Sequence, residues 1–352
     1  MMAHASIVAL LAAILWTSAA PAVAAEVREP LKHALELHDA GKLKEAIAEY
    51  DKVIKTYPKL AEAYFNRGNA YYDLGMDQQA VRDYGQALRL NPKDAEAHYN
   101  RGNAHRRLKQ QKAALDDYST AIKLNPEDAR SYINRGSLHF DARRYEDAVK
   151  DFSDAIRMDA GDAQSYYNRG NAYLALNRTD EAIRDYGAAL ERDPKLAEAY
   201  YNRGIAHADG KKYELAIRDF DEALRLDPKS AEAFYNRGLA KMRLGRFADA
   251  IEDYSEAMRI DPKDPEAQFN RGLAHLRIDK YDHAARDFSA VIGMQPKSAD
   301  AYVYRGLIRI YQGKDKEADA DFQKVFQLDP GLRKTIQPVI DEARAKVKEK
   351  SK

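Results

Sequence analysis

From residue 61 to residue 94 the chain reads AEAYFNRGNAYYDLGMDQQAVRDYGQALRLNPKD, and its apolar and small positions fall into two helical stripes. Tyr64, Gly68 and Tyr71 are spaced four and three apart, which at ~100° per residue puts them on one side of a first helix. Ala80, Tyr84 and Ala87 repeat that spacing after a turn signal at Gly75, and Asn91-Pro92 stops the second helix. The pattern predicts a helical hairpin. Its contact positions Gly68, Ala80 and Ala87 are small enough for close approach, and the tyrosines fill the space between hairpins.

The hairpin recurs. Asn-Arg-Gly begins at Asn66, Asn100, Asn134, Asn168, Asn202, Asn236 and Asn270, 34 residues apart, and Tyr304-Arg305-Gly306 continues the series. A period of this size marks a solenoid, in which each unit buries its apolar face only against its neighbours. Units start near residues 27, 61, 95, 129, 163, 197, 231, 265 and 299; the first is degenerate, with Ala34 and Leu37 in the glycine and tyrosine places. The framework Gly68, Tyr71, Ala80, Tyr84, Ala87 and Pro92 resembles that of the tetratricopeptide repeat. That resemblance covers residues 27–332. It implies an all-α fold, a right-handed superhelical solenoid with a concave groove lined by the first helices, and a role in holding other proteins.

Beyond Pro330, the four-three-four spacing of Ile336, Ile340, Ala343 and Val347 in a Lys-rich background predicts a C-terminal capping helix within residues 333–352. Lys346, Lys348, Lys350 and Lys352 also suit an anionic membrane surface, but solvated capping is the expectation.

Composition narrows the function classes. Fifty-seven Lys and Arg against fifty-six Asp and Glu give a formal charge of +1, without the basic excess a long nucleic-acid groove needs. The absence of cysteine removes disulfides, thiolate metal sites and cysteine nucleophiles. The apolar run 7–16, followed by Pro21-Ala22-Val23-Ala24-Ala25, reads as a secretory signal over residues 1–25, although its start, Met-Met-Ala-His, carries no Lys or Arg. About ten to twelve apolar residues are short for a membrane span of ~20. Export to the periplasm or medium is the expectation, with no transmembrane span in the mature chain. Cleavage would remove Trp16, the single tryptophan.

Several columns carry candidate chemistry. Arg67, at ~60° from the Tyr64 stripe, recurs to Arg305, and Asp83 recurs in step to Asp321, which predicts a half-buried ion pair in each unit. Spacing does not say whether each Arg meets its own unit's Asp or the preceding one's. Asn66 falls ~160° from the stripe and points away from the hairpin's own core. Its column either fixes the register between units or grips an extended backbone, because a carboxamide is both donor and acceptor. Groove asparagines act in the second way in members of the family the chain resembles.

Phe65, Tyr99, Tyr167, Tyr201, Tyr235 and Phe269 flank that column, either beside a bound strand or packed between units. One turn further on, Asn69, Asn103, Ser137 and Asn171 give way to Ile205, Leu239, Leu273 and Leu307, which predicts a groove polar early and apolar late. His105, His139, His207 and His275 share the column of Tyr71 and Tyr173, in separate units, which argues against one metal site and for packed imidazoles. Asp159-Ala160-Gly161 replaces the usual Asp-Pro stop and predicts slight local flexibility.

These readings point to a non-enzymatic scaffold for an extended peptide or protein segment in the cell envelope. Cofactors, metals and a small-molecule substrate are not expected, because the periodicity leaves almost no unassigned sequence. The rivals are a self-assembling structural solenoid and a chaperone-type adaptor. The second is disfavoured because aromatics such as Phe65 and Tyr99 stand where a carboxylate clamp would carry lysines.

Overall fold

The computed structural model describes residues 21–350; positions 1–20, which hold most of the expected leader, and Ser351-Lys352 lie outside the described residues. The described residues are helical throughout and contain no strand. They fall into two compact units, divided between Gly161 and Asp162. In the first, α1 (Pro21–Asp39) pairs with α2 (Leu43–Thr56), α3 (Ala61–Asp73) with α4 (Asp77–Leu90), α5 (Ala95–Arg107) with α6 (Gln111–Leu124), and α7 (Ala129–Asp141) with α8 (Tyr145–Met158). In the second, α9 (Ala163–Ala175) pairs with α10 (Thr179–Arg192), α11 (Ala197–Asp209) with α12 (Tyr213–Leu226), and α13 (Ala231–Arg243) with α14 (Phe247–Ile260). There α15 (Pro265–Arg277) pairs with α16 (Tyr281–Met294), α17 (Ala299–Tyr311) with α18 (Asp315–Leu328), and a 3-10 turn at Pro330–Leu332 leads to α19 (Arg333–Lys350). Within each unit every hairpin also packs on the next.

The turn inside each hairpin explains the Gly75 signal. Met76 N–H donates to Tyr71 C=O (2.8 Å) and Gly75 N–H to Tyr72 C=O (2.9 Å), while Gly75 takes φ +75°. This paired closure satisfies the orphan carbonyls of the first helix and needs a left-handed residue after its end. Lys109, Arg143, Asn177, Lys211 and Asp279 accept the same φ of 57–58° in other units, so the closure prevails over side-chain preference. At the far end, Asp193, Asp227 and Asp261 accept from the backbone N–H two residues on at 2.9–3.1 Å, a local bond that competes with helix continuation.

Close packing inside each hairpin rests on the helical glycines. A Cβ on Gly68, Gly102 or Gly170 would lie 2.8 Å from the ring of Tyr84, Tyr118 or Tyr186. Those rings are at most 1% exposed, so no space remains for a methyl group. The last hairpin is covered by α19, where buried Ile340 and Ala343 pack on Ile310, Ala318 and Phe322, with Ile336 and Val347 at the margin.

Candidate functional site: the first-helix face

The odd-numbered helices α3 to α17 carry Arg, Asn and aromatic side chains in fixed register, and the even-numbered helices supply their partners. The ion-pair question left open by spacing resolves in favour of each Arg's own unit. Each Arg from Arg67 to Arg305 makes a two-pronged bond to its own unit's Asp, with Nη2 at 2.6–2.8 Å from Oδ1. The remaining Nη1 reaches back to the preceding second helix, to Asp51 from Arg67 and Asp221 from Arg237. From Arg135, Arg271 and Arg305 it reaches Ser119, Ser255 and Ser289 at 3.0–3.1 Å. The planar guanidinium therefore ties hairpin to hairpin while neutralising a carboxylate that is 2–7% exposed. Each guanidinium spends Nε and Nη2 on its buried Asp, so the Arg column serves the architecture first.

A second residue on the first helix reaches the same carboxylate. His105, His139, His207 and His275 bring Nε2 within 3.6–3.8 Å of Asp117, Asp151, Asp219 and Asp287. Lys241 and Arg309 occupy the same column and bind Asp253 and Asp321. Burial, the largest influence, pushes the imidazoles of His139, His207 and His275 below the ordinary histidine range. No group of metal-binding residues occurs among the described residues.

Of the two readings of the Asn column, the amide N–H side follows the one that fixes register between units. Asn134 Nδ2 donates to Asn103 Oδ1 (2.9 Å) and Tyr99 OH (3.2 Å), both on the preceding first helix. Asn202 does the same to Asn171 (3.0 Å) and Tyr167 (3.0 Å), and Asn100 donates to Asn69 (3.1 Å). Asn236 and Asn270 donate to Tyr201 OH (2.9 Å) and Tyr235 OH (3.0 Å), and to the carbonyls of Glu232 and Glu266 (both 3.0 Å). The Nδ2 groups of Asn134, Asn202, Asn236 and Asn270 are thus each spent on two acceptors within the protein and are not free to grip a guest backbone. Asn66 is itself buried, and Asn168 accepts from Gln164 at 2.9 Å.

The apparent polarity change along the array also has an internal cause. Asn69, Asn103 and Asn171 accept from the buried hydroxyls of Tyr84, Tyr118 and Tyr186 at 2.7–2.8 Å. Phe220, Phe288 and Phe322 replace those tyrosines in the units where Ile205, Leu239, Leu273 and Leu307 replace asparagine, with Tyr254 the exception. Asn gives way to an apolar residue because the hydroxyl it served is gone, so the graded groove expected from sequence is not required. Tyr254 faces Leu239's unit with a buried hydroxyl that has no partner.

The flanking aromatics pack inside their own hairpins: Phe65, Tyr99, Tyr167, Tyr201 and Tyr235 lie 5.9–6.0 Å, centroid to centroid, from the second-helix rings, and Phe269 lies 5.3 Å from Phe288. They remain half-buried rather than covered. Sequence reasoning missed a column on this face: Glu198, Glu232, Glu266 and Asp300, one turn ahead of the Asn positions and exposed. Their shared 34-residue spacing was the available signal.

Models described as "Tetratricopeptide repeat" match residues 112–163, 167–231, 211–265, 235–283 and 269–332, and 95–128; one described as "TPR repeat" matches 34–75 and 68–109. Among solved structures, the C-terminal part of a TPR repeat-containing protein from Cytophaga hutchinsonii is similar at 18% identity and TM-score 0.60, covering 68% of this chain and 98% of that one. A tetratricopeptide repeat protein from Parabacteroides merdae gives 21% and 0.50, covering 71% and 98%. YrrB, described as a TPR protein with an unusual peptide-binding site, gives 24% and 0.48 over 52% of this chain and 95% of its own. No curated protein sequence matches the chain.

Proposed function

The chain belongs to the tetratricopeptide repeat family, and from that premise we propose that it is a non-enzymatic scaffold holding an extended protein segment along its first helices. One observation carries the proposal. The Arg and Asp columns are engaged with each other, whereas in the second compact unit the Oδ1 atoms of Asn202, Asn236 and Asn270 accept nothing from the described residues. Half-buried aromatics border these open acceptors, which recur on three successive first helices, α11, α13 and α15; earlier in the array Arg106 and Gln164 fill the Oδ1 atoms of Asn134 and Asn168. Such a row suits a backbone that offers N–H groups at regular intervals.

An export role belongs to the same proposal: the apolar run 7–16 and the small residues at 21–25 support a cleaved leader and a scaffold of the cell envelope. No helix among the described residues is long and apolar enough to cross a membrane. A mature product that retains Trp16 emission would remove the cleaved leader.

A photo-crosslinking residue tests the scaffold reading in cells when placed at exposed Arg243, at the end of first helix α13, and at exposed Arg218 on second helix α12. Adducts are expected from position 243 and not from 218. Equal labelling at both, or labelling at 218 alone, would contradict it.

A further inference from the structure

The hydrogen bonds made by α11, α13, α15 and α17 determine which chemistry this face takes, an inference that rests on the scaffold reading. Asn202, Asn236 and Asn270 each spend Nδ2 on two acceptors inside the protein, so what they offer outward is a carbonyl oxygen. The hydroxyls of Tyr201 and Tyr235 accept from Asn236 and Asn270, and Tyr235 points its own proton at Glu266, 3.4 Å away. Burial first, and then Glu266, push Tyr235 up to about 12, so the phenol stays protonated.

One helical turn ahead of these amides stand Glu198, Glu232 and Glu266, with Asp300 in the same place on α17. All four are exposed, and none meets Lys, Arg or His within ion-pair distance among the described residues. The first compact unit breaks the row: Arg130 takes the column itself, and its Nη2 lies 2.6 Å from Glu96 Oε2. The helix macrodipole favours an acid in any first turn. A paired acid such as Glu96 satisfies it equally, and the dipole gives no reason for the next turn's amide oxygens to stay open.

We propose that the first-helix face of residues 197–311 binds an extended protein segment carrying Lys or Arg at roughly every third position. Acceptor oxygens and unpaired carboxylates stand side by side there, so the complementary guest supplies N–H and positive charge. Successive first helices lie about one helix diameter apart, about 10 Å. An extended chain in the polyproline-II conformation has three residues per turn and advances about 3.1 Å per residue, so every third side chain returns to the same face about 9 Å on, at the next acid. Apolar Ile205 and Leu239, beside a depression of ≈ 340 Å³ that also reaches Asn236 and Arg243, receive the aliphatic stems. A carboxylate-bearing terminus meets like charge at this face and is excluded.

The test uses the full chain and two labelled peptides, one of repeated Lys-Ala-Gly units and one of repeated Glu-Ala-Gly units, read by fluorescence anisotropy over a salt series. The Lys peptide is expected to bind at least tenfold more tightly at low salt, with the advantage shrinking as salt rises. Combining Glu198→Gln, Glu232→Gln, Glu266→Gln and Asp300→Asn should weaken it roughly tenfold, as expected of several exposed pairs. The paired control Glu214→Gln and Glu252→Gln on second helices should leave binding unchanged, and equal far-UV dichroism excludes misfolding as the cause. Equal affinity for both peptides, or no response to the four substitutions, overturns the charge assignment. A Glu peptide that crosslinks at position 243 as well as the Lys peptide does overturns the charge assignment alone; failure of both peptides to crosslink there removes the scaffold reading as well.

Discussion

Replacing Tyr118 by Phe should have opposite signs in two backgrounds, and the hydrogen-bond geometry sets the size. Tyr118 is 0% exposed and donates to Asn103 Oδ1 at 2.7 Å, an oxygen that also accepts from Asn134 at 2.9 Å. Removing the hydroxyl leaves Asn103 one partner and costs about 1 kcal/mol, the net value of a typical bond. Asn103→Leu instead strands a buried hydroxyl and an Asn134 N–H, at about 2–3 kcal/mol. Adding Tyr118→Phe to Asn103→Leu then removes the stranded hydroxyl and should be neutral or recover up to about 1 kcal/mol. The coupling energy is therefore about 1–2 kcal/mol.

The protein contains the stranded arrangement naturally at Tyr254, whose buried hydroxyl has no partner, so Tyr254→Phe should leave stability unchanged or raise it by up to about 1 kcal/mol. Urea unfolding followed by far-UV dichroism reads these differences, provided the slope stays constant between the variants compared. Repeat arrays depart from two-state unfolding, so each comparison is kept to one atom in one background. Equal cost for Tyr118→Phe in both backgrounds, or a loss at Tyr254→Phe matching that at Tyr118→Phe, would refute the shared network.

Two further outcomes follow from packing and burial. Gly170→Ala drives a Cβ to 2.8 Å from Tyr186 and should cost about 1–3 kcal/mol, whereas Gly293→Ala, with nothing within 4 Å, should gain up to about 1 kcal/mol; equal urea midpoints for the two variants would contradict the close-contact account. His139, His207 and His275 have folded values below the ordinary 6.5, so the unfolded chain takes up protons first. Stability is full above about 6.5 and declines as pH falls through the folded values. Thermal midpoints should drop between pH 7.5 and 5.5, and the triple substitution to Tyr, the residue at Tyr71 and Tyr173, should flatten that drop. An unchanged drop in the triple variant would clear the histidines.

The hairpins were legible because their causes are local and periodic. Gly68, Tyr84 and Ala87 repeat at fixed offsets, and a turn glycine at Gly75 needs no knowledge of neighbours. The Arg and Asp columns announced themselves by moving in step, but the third arm of Arg67 or Arg135 reaches a variable residue, Asp51 or Ser119, which one column's spacing does not reveal. The Asn column stayed undecided for a related reason. Helical angle shows that its side chain leaves the hairpin's core, yet not that the preceding first helix supplies Tyr99 and Asn103 as acceptors 35 and 31 residues earlier. The exchange of Asn69 for Leu239 looked like a property of a groove because its partner, the hydroxyl on the second helix, lies fifteen residues away at Tyr84. The acidic row at Glu198 was visible in the same periodicity, but its significance depends on the absence of a cation beside it, which only three-dimensional placement shows.

A crystal structure of the full chain with the Lys-Ala-Gly peptide tests the account most directly. Peptide N–H groups should lie within hydrogen-bonding distance of Oδ1 of Asn202, Asn236 and Asn270, with Lys ammonium groups at Glu232 and Glu266 and the Nδ2 bonds to Tyr167, Tyr201 and Tyr235 intact. A peptide seated on the second helices, or one that takes its bonds from Nδ2 after those internal contacts break, would contradict it.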